Sequence, residues 1–157
     1  MYEVYLDEVV RWRSSRGRTL PPPATRDQIL DLRARVKVRL GCTLPAAYEE
    51  FLARSNGLES NGLVVYACAP AADGTSPVPG FVEANLAWRR DDYFVTILVF
   101  AESAHSLYVY DLDERRHHVL DRHTCGVQHS FAAWQGVLRA ALAKHRPGPA
   151  LLQRPPS

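Results

Sequence analysis

Three closely spaced runs of strand-forming residues in the second half of the chain constrain its fold more than any other feature. The runs are YFVTILVFAES (93–103), SLYVYDLD (106–113) and HHVLDRH (117–123). Successive side chains of the second run are predicted to point to opposite faces of a strand, so that Tyr108 and Tyr110 share one face and Val109 lies on the other. The connections between the runs have hairpin length. The sequence therefore predicts an antiparallel meander of three strands.

Two patterns predict helices in the N-terminal part of the chain. Residues 2–13 carry apolar side chains at helical spacing. Thr25 and Gln28 have the spacing of a capping box for a second helix, which Gly41 ends. Between the two helices, SSRGRTLPPPA (14–24) contains three consecutive prolines and cannot be helical.

Further elements are predicted over LPAAYEEFLARSNG (44–57, helix), LVVYACA (63–69, strand), PAADGTSPVPG (70–80, exposed loop), FVEANLAWRR (81–90, helix) and SFAAWQGVLRAALAKH (130–145, helix). Pro45 suits a first helical turn, and Gly57 ends that helix in a left-handed turn. Ser130 is the expected N-cap of the last helix. Glu83 and Asn85 are expected to fasten their helix against the sheet. The sum is an α+β domain with an antiparallel sheet and helices packed mainly on one face.

The chain has 157 residues, enough for one domain with a core of its own. We predict an N-terminal helix with a proline-rich linker or arm over 1–24, an α+β domain over 25–145 and a flexible proline-rich tail over 146–157. The arm includes an arginine-rich run, RWRSSRGR (11–18). We expect this run to be solvated or to face a partner, because no basic stripe elsewhere supports nucleic-acid binding.

Charge and cysteine usage exclude several classes of protein. A net charge of +2 gives no electrostatic reason to bind nucleic acid or a membrane surface. Three widely spaced cysteines, Cys42, Cys68 and Cys125, argue against a disulfide framework. The segment MYEVYLDEVVRW lacks the features of a signal peptide, and no apolar run approaches the roughly 18 residues of a membrane span. We therefore expect a cytoplasmic protein with neither membrane nor direct nucleic-acid contacts.

Five acidic residues are predicted to gather at one end of the sheet: Asp91, Asp92, Asp111, Asp113 and Glu114. Aspartate forms turns through local hydrogen bonds, which is the simplest reason for several of them. Paired carboxylates also serve hydrolysis or hold magnesium. An acidic edge would equally bind a basic partner, and these five residues are our candidate partner contacts.

Five potential metal ligands lie close together further on: His117, His118, His123, Cys125 and His129. Neighbouring residues of a strand point to opposite faces, so His117 and His118 cannot both reach one metal ion. The group also lacks the spacing of a closed four-ligand site. We expect solvated strand and loop histidines, and no metal.

The sequence offers no convincing catalytic group. Cys125 lies near two histidines, but nothing local indicates an oxyanion hole or a lowered thiol pKa. Ser103, His105 and Asp111 contain the residue types of a triad, yet no nucleophile-elbow glycines surround the serine. We expect a protein without a catalytic centre and without a cofactor.

Two blocks of residues resemble the SUKH superfamily. The first consists of Leu44, Pro45, Tyr48, Phe51 and Leu52, followed by Asn56-Gly57. The second, ILVFAESAHSLYVYDLD (97–113), is similar to the family's later block, in which a strand ends in a small polar turn and the next strand reads aromatic–x–aromatic–Asp. FVEANLAWRR between the blocks resembles the YrhA-like subgroup. The resemblance spans residues 25–143, most of the chain.

The resemblance implies an α+β fold without a catalytic centre, in which Leu44, Pro45, Tyr48, Phe51 and Gly57 act as fold determinants. The superfamily includes yeast cell-wall-assembly regulators, the Syd protein and many bacterial immunity proteins. Bacterial members are implied to neutralise a cognate polymorphic toxin, often a nuclease or a nucleic-acid deaminase, by binding it.

The leading hypothesis is therefore an immunity protein that forms a heterodimer with a toxin domain. The acidic residues would make the contacts, because nucleic-acid-targeting toxins tend to be basic around their sites. The alternatives are a non-catalytic regulatory scaffold that binds a cellular partner, and a metal protein or enzyme that uses residues 117–129.

Overall fold

The computed structural model describes residues 2–71 and 78–146. Six strands occur in this part of the chain: β1 Leu58–Ser60, β2 Leu63–Val65, β3 Ile97–Glu102, β4 Ser106–Asp111, β5 Arg116–Asp121 and β6 Val127–Phe131. They form one sheet in sequence order, with every strand antiparallel to its neighbours. The predicted meander over β3, β4 and β5 is confirmed. The sheet continues with β2 and β1 beside β3 and with β6 beside β5.

The described helices are α1 Glu3–Ser14, α2 Arg26–Leu40, α3 Ala46–Leu52, α4 Phe81–Trp88 and α5 Trp134–Lys144, with a short 3-10 helix at Asp92–Thr96. The α+β class is thereby confirmed. None of these helices is both long and apolar enough to cross a membrane. The exposed loop predicted over 70–80 and the tail predicted over 146–157 fall largely outside the described residues.

Helix α2 begins and ends as predicted. The Thr25 hydroxyl accepts a hydrogen bond from the backbone N–H of Gln28, and the Gln28 side chain accepts one from the backbone N–H of Thr25. Gly41 follows the helix with a φ of 71°, the left-handed conformation in which glycine carries no steric penalty.

Four predicted boundaries were wrong, and the first is the strand predicted over 63–69, which ends at Val65. Helix α3 ends at Leu52, and the left-handed Gly57, with a φ of 83°, belongs to the turn that leads into β1. The strand predicted from residue 93 begins only at Ile97, because the Asp91 carboxylate caps the preceding 3-10 helix by accepting a hydrogen bond from Tyr93 N–H. Ser130 is not an N-cap but a residue of β6, and α5 begins at Trp134.

Aromatic rings form the centre of the core on the helix-covered face of the sheet. Trp134 of α5 packs against Tyr48 and Phe51 of α3, with ring centroids 5.3 and 5.9 Å away. Tyr48 in turn lies 5.1 Å from Phe100 of β3 and 5.3 Å from Phe81 of α4. These contacts join three helices to one strand, which explains why the predicted α3 residues Tyr48 and Phe51 are fully buried.

Helix α1 packs onto the same core. Tyr2, Leu6 and Val9 are buried, and the Tyr2 ring lies 6.4 Å from that of Phe51. Arg13 at the end of the helix donates to the carbonyl oxygen of Glu59 in β1. The N-terminal helix therefore contributes apolar side chains to the domain core.

Asn85 fastens α4 to a buried stretch of the β3 backbone that does not pair with β2. Its side-chain amide donates to the Val99 carbonyl at 2.8 Å, and its carbonyl oxygen accepts from the Val99 N–H at 2.7 Å. Strand β2 pairs with β3 only at Ala101 and Glu102, so the asparagine replaces a neighbouring strand at this point. The expected fastening role is confirmed for Asn85, whereas Glu83 instead pairs with Arg35 of α2.

Candidate functional site

Three of the five acidic residues that we predicted as partner contacts lie at the turn between β4 and β5. One carboxylate oxygen of Asp111 accepts hydrogen bonds from the backbone N–H groups of Asp113 and Glu114, at 2.9 and 3.0 Å. Arg115 closes the turn in a left-handed conformation, with a φ of 56°. The Asp111 carboxylate thus orders the turn, while the side chains of Asp113 and Glu114 remain exposed.

The other two acidic residues flank the start of the 3-10 helix. Asp91 caps it, and both Asp91 and Asp92 are exposed. The backbone of this segment is joined to the β4–β5 turn, because Leu112 N–H donates to the carbonyl oxygen of Thr96 at 2.9 Å.

Tyr93 lies between these two acidic groups. Burial raises the pKa of its phenol, and the nearby Cys125 and the carboxylates of Asp111 and Glu114 raise it further. Cys125 is in turn close to Asp91, whose charge adds to burial in raising the pKa of the thiol. The structure therefore brings Asp91, Asp111 and Glu114 around one tyrosine, with Asp92 and Asp113 next to them in the chain.

We call the surface formed by Asp91, Asp92, Tyr93, Asp111, Asp113 and Glu114 the acidic face. Within residues 2–71 and 78–146, its four aspartates form no ion pair with an arginine or lysine, although Arg115 and Arg116 follow in the same turn. Tyr93 is 44% exposed and is the only exposed aromatic residue of the described chain. The sequence placed Tyr93 in a strand, so this exposure was not predictable from the strand pattern.

His118 links the acidic face to the sheet. Its side chain is only 7% exposed, and Nε2 lies 2.8 Å from a carboxylate oxygen of Glu114. On the other side of the ring, Nδ1 lies 2.7 Å from the Ser130 hydroxyl in β6. Three polar side chains from a turn and two strands are thus joined in one hydrogen-bonded line.

The remaining members of the predicted histidine group do not join this line. His117 points to the opposite face, where its ring lies 4.7 Å from that of Tyr110, and burial lowers its pKa to about 4. The expectation of solvated histidines was therefore wrong for His117 and His118, and it holds for the exposed His123 and His129.

Ser103 and Asp111, which were considered with His105 as a possible catalytic triad, have structural roles. The Ser103 hydroxyl accepts from Ser106 N–H at 3.2 Å within the turn between β3 and β4. Asp111 lies at the far end of β4 from this turn. These residues form no triad, because Ser103 and Asp111 are separated by the length of the strand.

A separate groove lies where α4 passes the edge of the sheet. It encloses about 490 Å³ and is lined by Tyr66, Pro79, Glu83, Ala84, Ala87, Trp88 and Glu102. The Trp88 indole N–H donates to the Tyr66 hydroxyl, which itself donates to Glu102. Arg122 lies over the Trp88 ring at 5.4 Å, so the polar end of the groove is already satisfied by the protein's own side chains.

No family model matches the chain, and a search of curated proteins likewise finds no match. The SUKH resemblance therefore rests on its motif residues. Pro45 is the N-cap of α3, and the Tyr48 hydroxyl donates to the Tyr66 carbonyl at 2.7 Å, which ties α3 to the chain beyond β2. These positions act as fold determinants in this structure, while membership of the superfamily stays a prediction.

Proposed function

We propose that this chain is a non-catalytic immunity protein that binds a cognate polymorphic toxin domain through the acidic face. The observation that supports the proposal is the exposed Tyr93 among carboxylates that have no arginine or lysine partner in the described part of the chain. The family resemblance suggests the class of partner, and the exposure and charge of the acidic face support its choice as the binding surface.

The chemistry of the acidic face suits a basic protein surface. Tyrosine is among the residues that contribute most to interface energy, because it buries a large rigid ring with little loss of conformational entropy. Carboxylates around such an anchor speed the encounter with a basic partner and orient it. Toxins that act on nucleic acids carry basic residues at their sites, so the acidic face would block the substrate path of such a toxin.

We further propose that the complex is a heterodimer formed in the cytoplasm. Neutralisation requires the immunity protein to occupy the compartment in which the toxin meets its substrate. Binding through a surface patch needs no cofactor and no catalytic group, which agrees with the structural roles found for Ser103 and Asp111.

The first test is co-purification of the tagged full chain from its native host, with mass spectrometry of the proteins that accompany it. We expect a single stoichiometric partner that ends in a toxin domain, and growth arrest by that domain should be relieved by this chain. A non-toxin regulator recovered in its place would refute the immunity proposal and favour the regulatory scaffold.

The second test locates the interface on the identified partner. Replacement of Asp91, Asp92, Asp111, Asp113 and Glu114 by Ala should weaken binding by at least about tenfold, as should Tyr93→Ala. The matched comparison sets the triple replacement of Asp91, Asp92 and Asp113, which should still weaken binding, against that of Asp7, Asp27 and Glu50, exposed acids of α1, α2 and α3, which should leave affinity within about threefold. Equal losses in both sets would show that net charge, rather than the acidic face, governs binding.

A further inference from the structure

We propose that Asp111, Glu114 and His118 form a binding site for a divalent transition-metal ion, for which Zn²⁺ is the best fit. One ligand atom from each side chain lies within 4.8 Å of the other two. This inference does not depend on the proposed toxin binding. It also differs from the histidine group considered in the sequence, since it takes one histidine from that group and two carboxylates from the acidic face.

The register of the sheet explains why these side chains converge. Val109 of β4 is paired with His118 of β5, so both side chains point to the same face, and Asp111 lies two residues further along β4 on that face. The β4–β5 turn then carries Glu114 back over His118, to which it is bonded. Two of the three ligands are therefore fixed by backbone pairing and the third by a hydrogen-bonded turn.

A residue outside the ligand set orients the imidazole. The Ser130 hydroxyl lies 2.7 Å from Nδ1, which leaves Nε2 directed at the carboxylates. Because a carboxylate only accepts, Nε2–H is the donor to Glu114 without metal, and in the neutral imidazole Nδ1 accepts from the serine hydroxyl. With metal on Nε2, the ring proton moves to Nδ1 and is donated to the serine oxygen, so one hydroxyl serves both tautomers.

The donor set selects the kind of ion. An imidazole nitrogen favours zinc and its neighbours over Ca²⁺ and Mg²⁺, which prefer sites made of oxygen alone. Two carboxylates and a neutral imidazole balance the charge of a divalent ion. Asp111 uses one oxygen to hold the turn, which leaves the other for the metal.

The site is open on one side. The Glu114 side chain is 61% exposed, whereas that of His118 is buried. Three protein ligands beside an exposed position are the arrangement in which zinc keeps a water molecule as its fourth ligand. The exposed Glu114 also has the freedom to shorten the ligand distances when an ion enters, because among the described residues its side chain is bonded only to the histidine.

The experiment measures Zn²⁺ binding to the tag-free full chain by calorimetry after treatment with a chelator, and Co²⁺ binding by its visible absorption. We expect one equivalent per chain. Glu114→Gln should weaken binding by at least about tenfold, and Ser130→Ala by about tenfold because the imidazole loses its orientation. Asp113→Asn is the matched control, since it removes the same charge from the same turn outside the ligand set.

The outcomes separate this site from other metal-binding residues. Absence of binding overturns the proposal, as does binding that Glu114→Gln leaves unchanged, because the ion would then sit on other histidines or cysteines. Equal weakening by Glu114→Gln and Asp113→Asn would show attraction to the negative turn rather than coordination. Circular dichroism of each variant checks that the fold is intact. The partner-binding assay is repeated in the presence of a chelator, so that failure of the metal site and failure of partner binding can be told apart.

Discussion

Asn85 shows how one buried side chain replaces a missing strand. Its amide satisfies both the N–H and the carbonyl of Val99 in an interior from which water is excluded. Replacement by Ala would leave both backbone groups without a partner, and each such group costs about 1–3 kcal/mol. We therefore expect Asn85→Ala to lower the free energy of unfolding by roughly 2–5 kcal/mol in urea titrations followed by tryptophan fluorescence.

The control for this prediction is Val38→Ala. Val38 lies on the solvent side of α2 and is exposed, so its replacement should change stability by less than about 0.5 kcal/mol. A loss for Asn85→Ala no larger than that of the control would mean that water or a backbone shift satisfies Val99.

Two glycines allow the steric and conformational costs of a left-handed residue to be measured separately. Gly57 and Gly62 have φ angles of 83° and 86°. A Cβ at Gly62 would meet nothing within 4 Å, whereas one at Gly57 would lie 2.8 Å from Val78 and 2.9 Å from Ala67. We expect Gly62→Ala to lower the free energy of unfolding by about 1–2 kcal/mol in the same urea titrations. Gly57→Ala should lower it by at least about 1 kcal/mol more than Gly62→Ala does. Equal costs would show that the chain around Gly57 yields without strain.

At the scale of elements, α1 offers a test of whether the N-terminal segment belongs to the domain core. Leu6 is 4% exposed and Val4, on the same helix, is 61% exposed. Leu6→Ala should lower the unfolding free energy by about 2–5 kcal/mol, because it leaves a cavity against the core. Val4→Ala should have an effect below about 0.5 kcal/mol. Similar small effects of both changes would identify α1 as an appended arm.

Elements whose signals are local were predictable from the sequence, whereas those set by their neighbours were not. The capping box of Thr25 and Gln28 involves four adjacent residues, and it marked the start of α2 correctly. Strand β6, by contrast, carries Gln128, His129 and Ser130 on an exposed edge, and its pairing with β5 defines it rather than its composition. The Asn61-Gly62 dipeptide at the turn of the first hairpin is a further local signal, and it would have indicated β1 as well as β2.

At the scale of the whole molecule, the gathering of charged groups depends on register. The sequence predicted that five acidic residues would meet at one end of the sheet, because turn residues follow strand ends. It did not predict that His118 would join Asp111 and Glu114, since that contact requires the pairing of His118 with Val109. A shift of one residue would have directed His117 there instead. The exposure of Tyr93 likewise follows from the 3-10 helix that Asp91 caps.

His117 makes the stability of the whole fold depend on pH. Its pKa is lowered to about 4, with burial as the largest cause; a hydrogen bond with the Val109 backbone opposes the shift, and the nearby His118 contributes to it. In the unfolded chain the imidazole has a pKa of about 6.5. Between these two values the unfolded chain binds a proton that the folded protein does not, so stability falls as the pH drops from about 6.5 to about 4. The expected contribution is about 3 kcal/mol, measured by urea unfolding across that range.

The difference between variants separates the contribution of His117 from that of other groups, of which His145 is the clearest case. Burial also lowers the pKa of His145, so its effect has the same sign and persists in every variant. His117→Gln should flatten the pH dependence of the unfolding free energy by about 3 kcal/mol, whereas His105→Gln, at an exposed turn, should leave it unchanged. Parallel curves for wild type and His117→Gln would show that the buried imidazole takes up its proton at the same pH in the folded and unfolded states. Below about pH 6.5 the ring packed against Tyr110 would then be a cation in the core rather than a neutral aromatic packing residue.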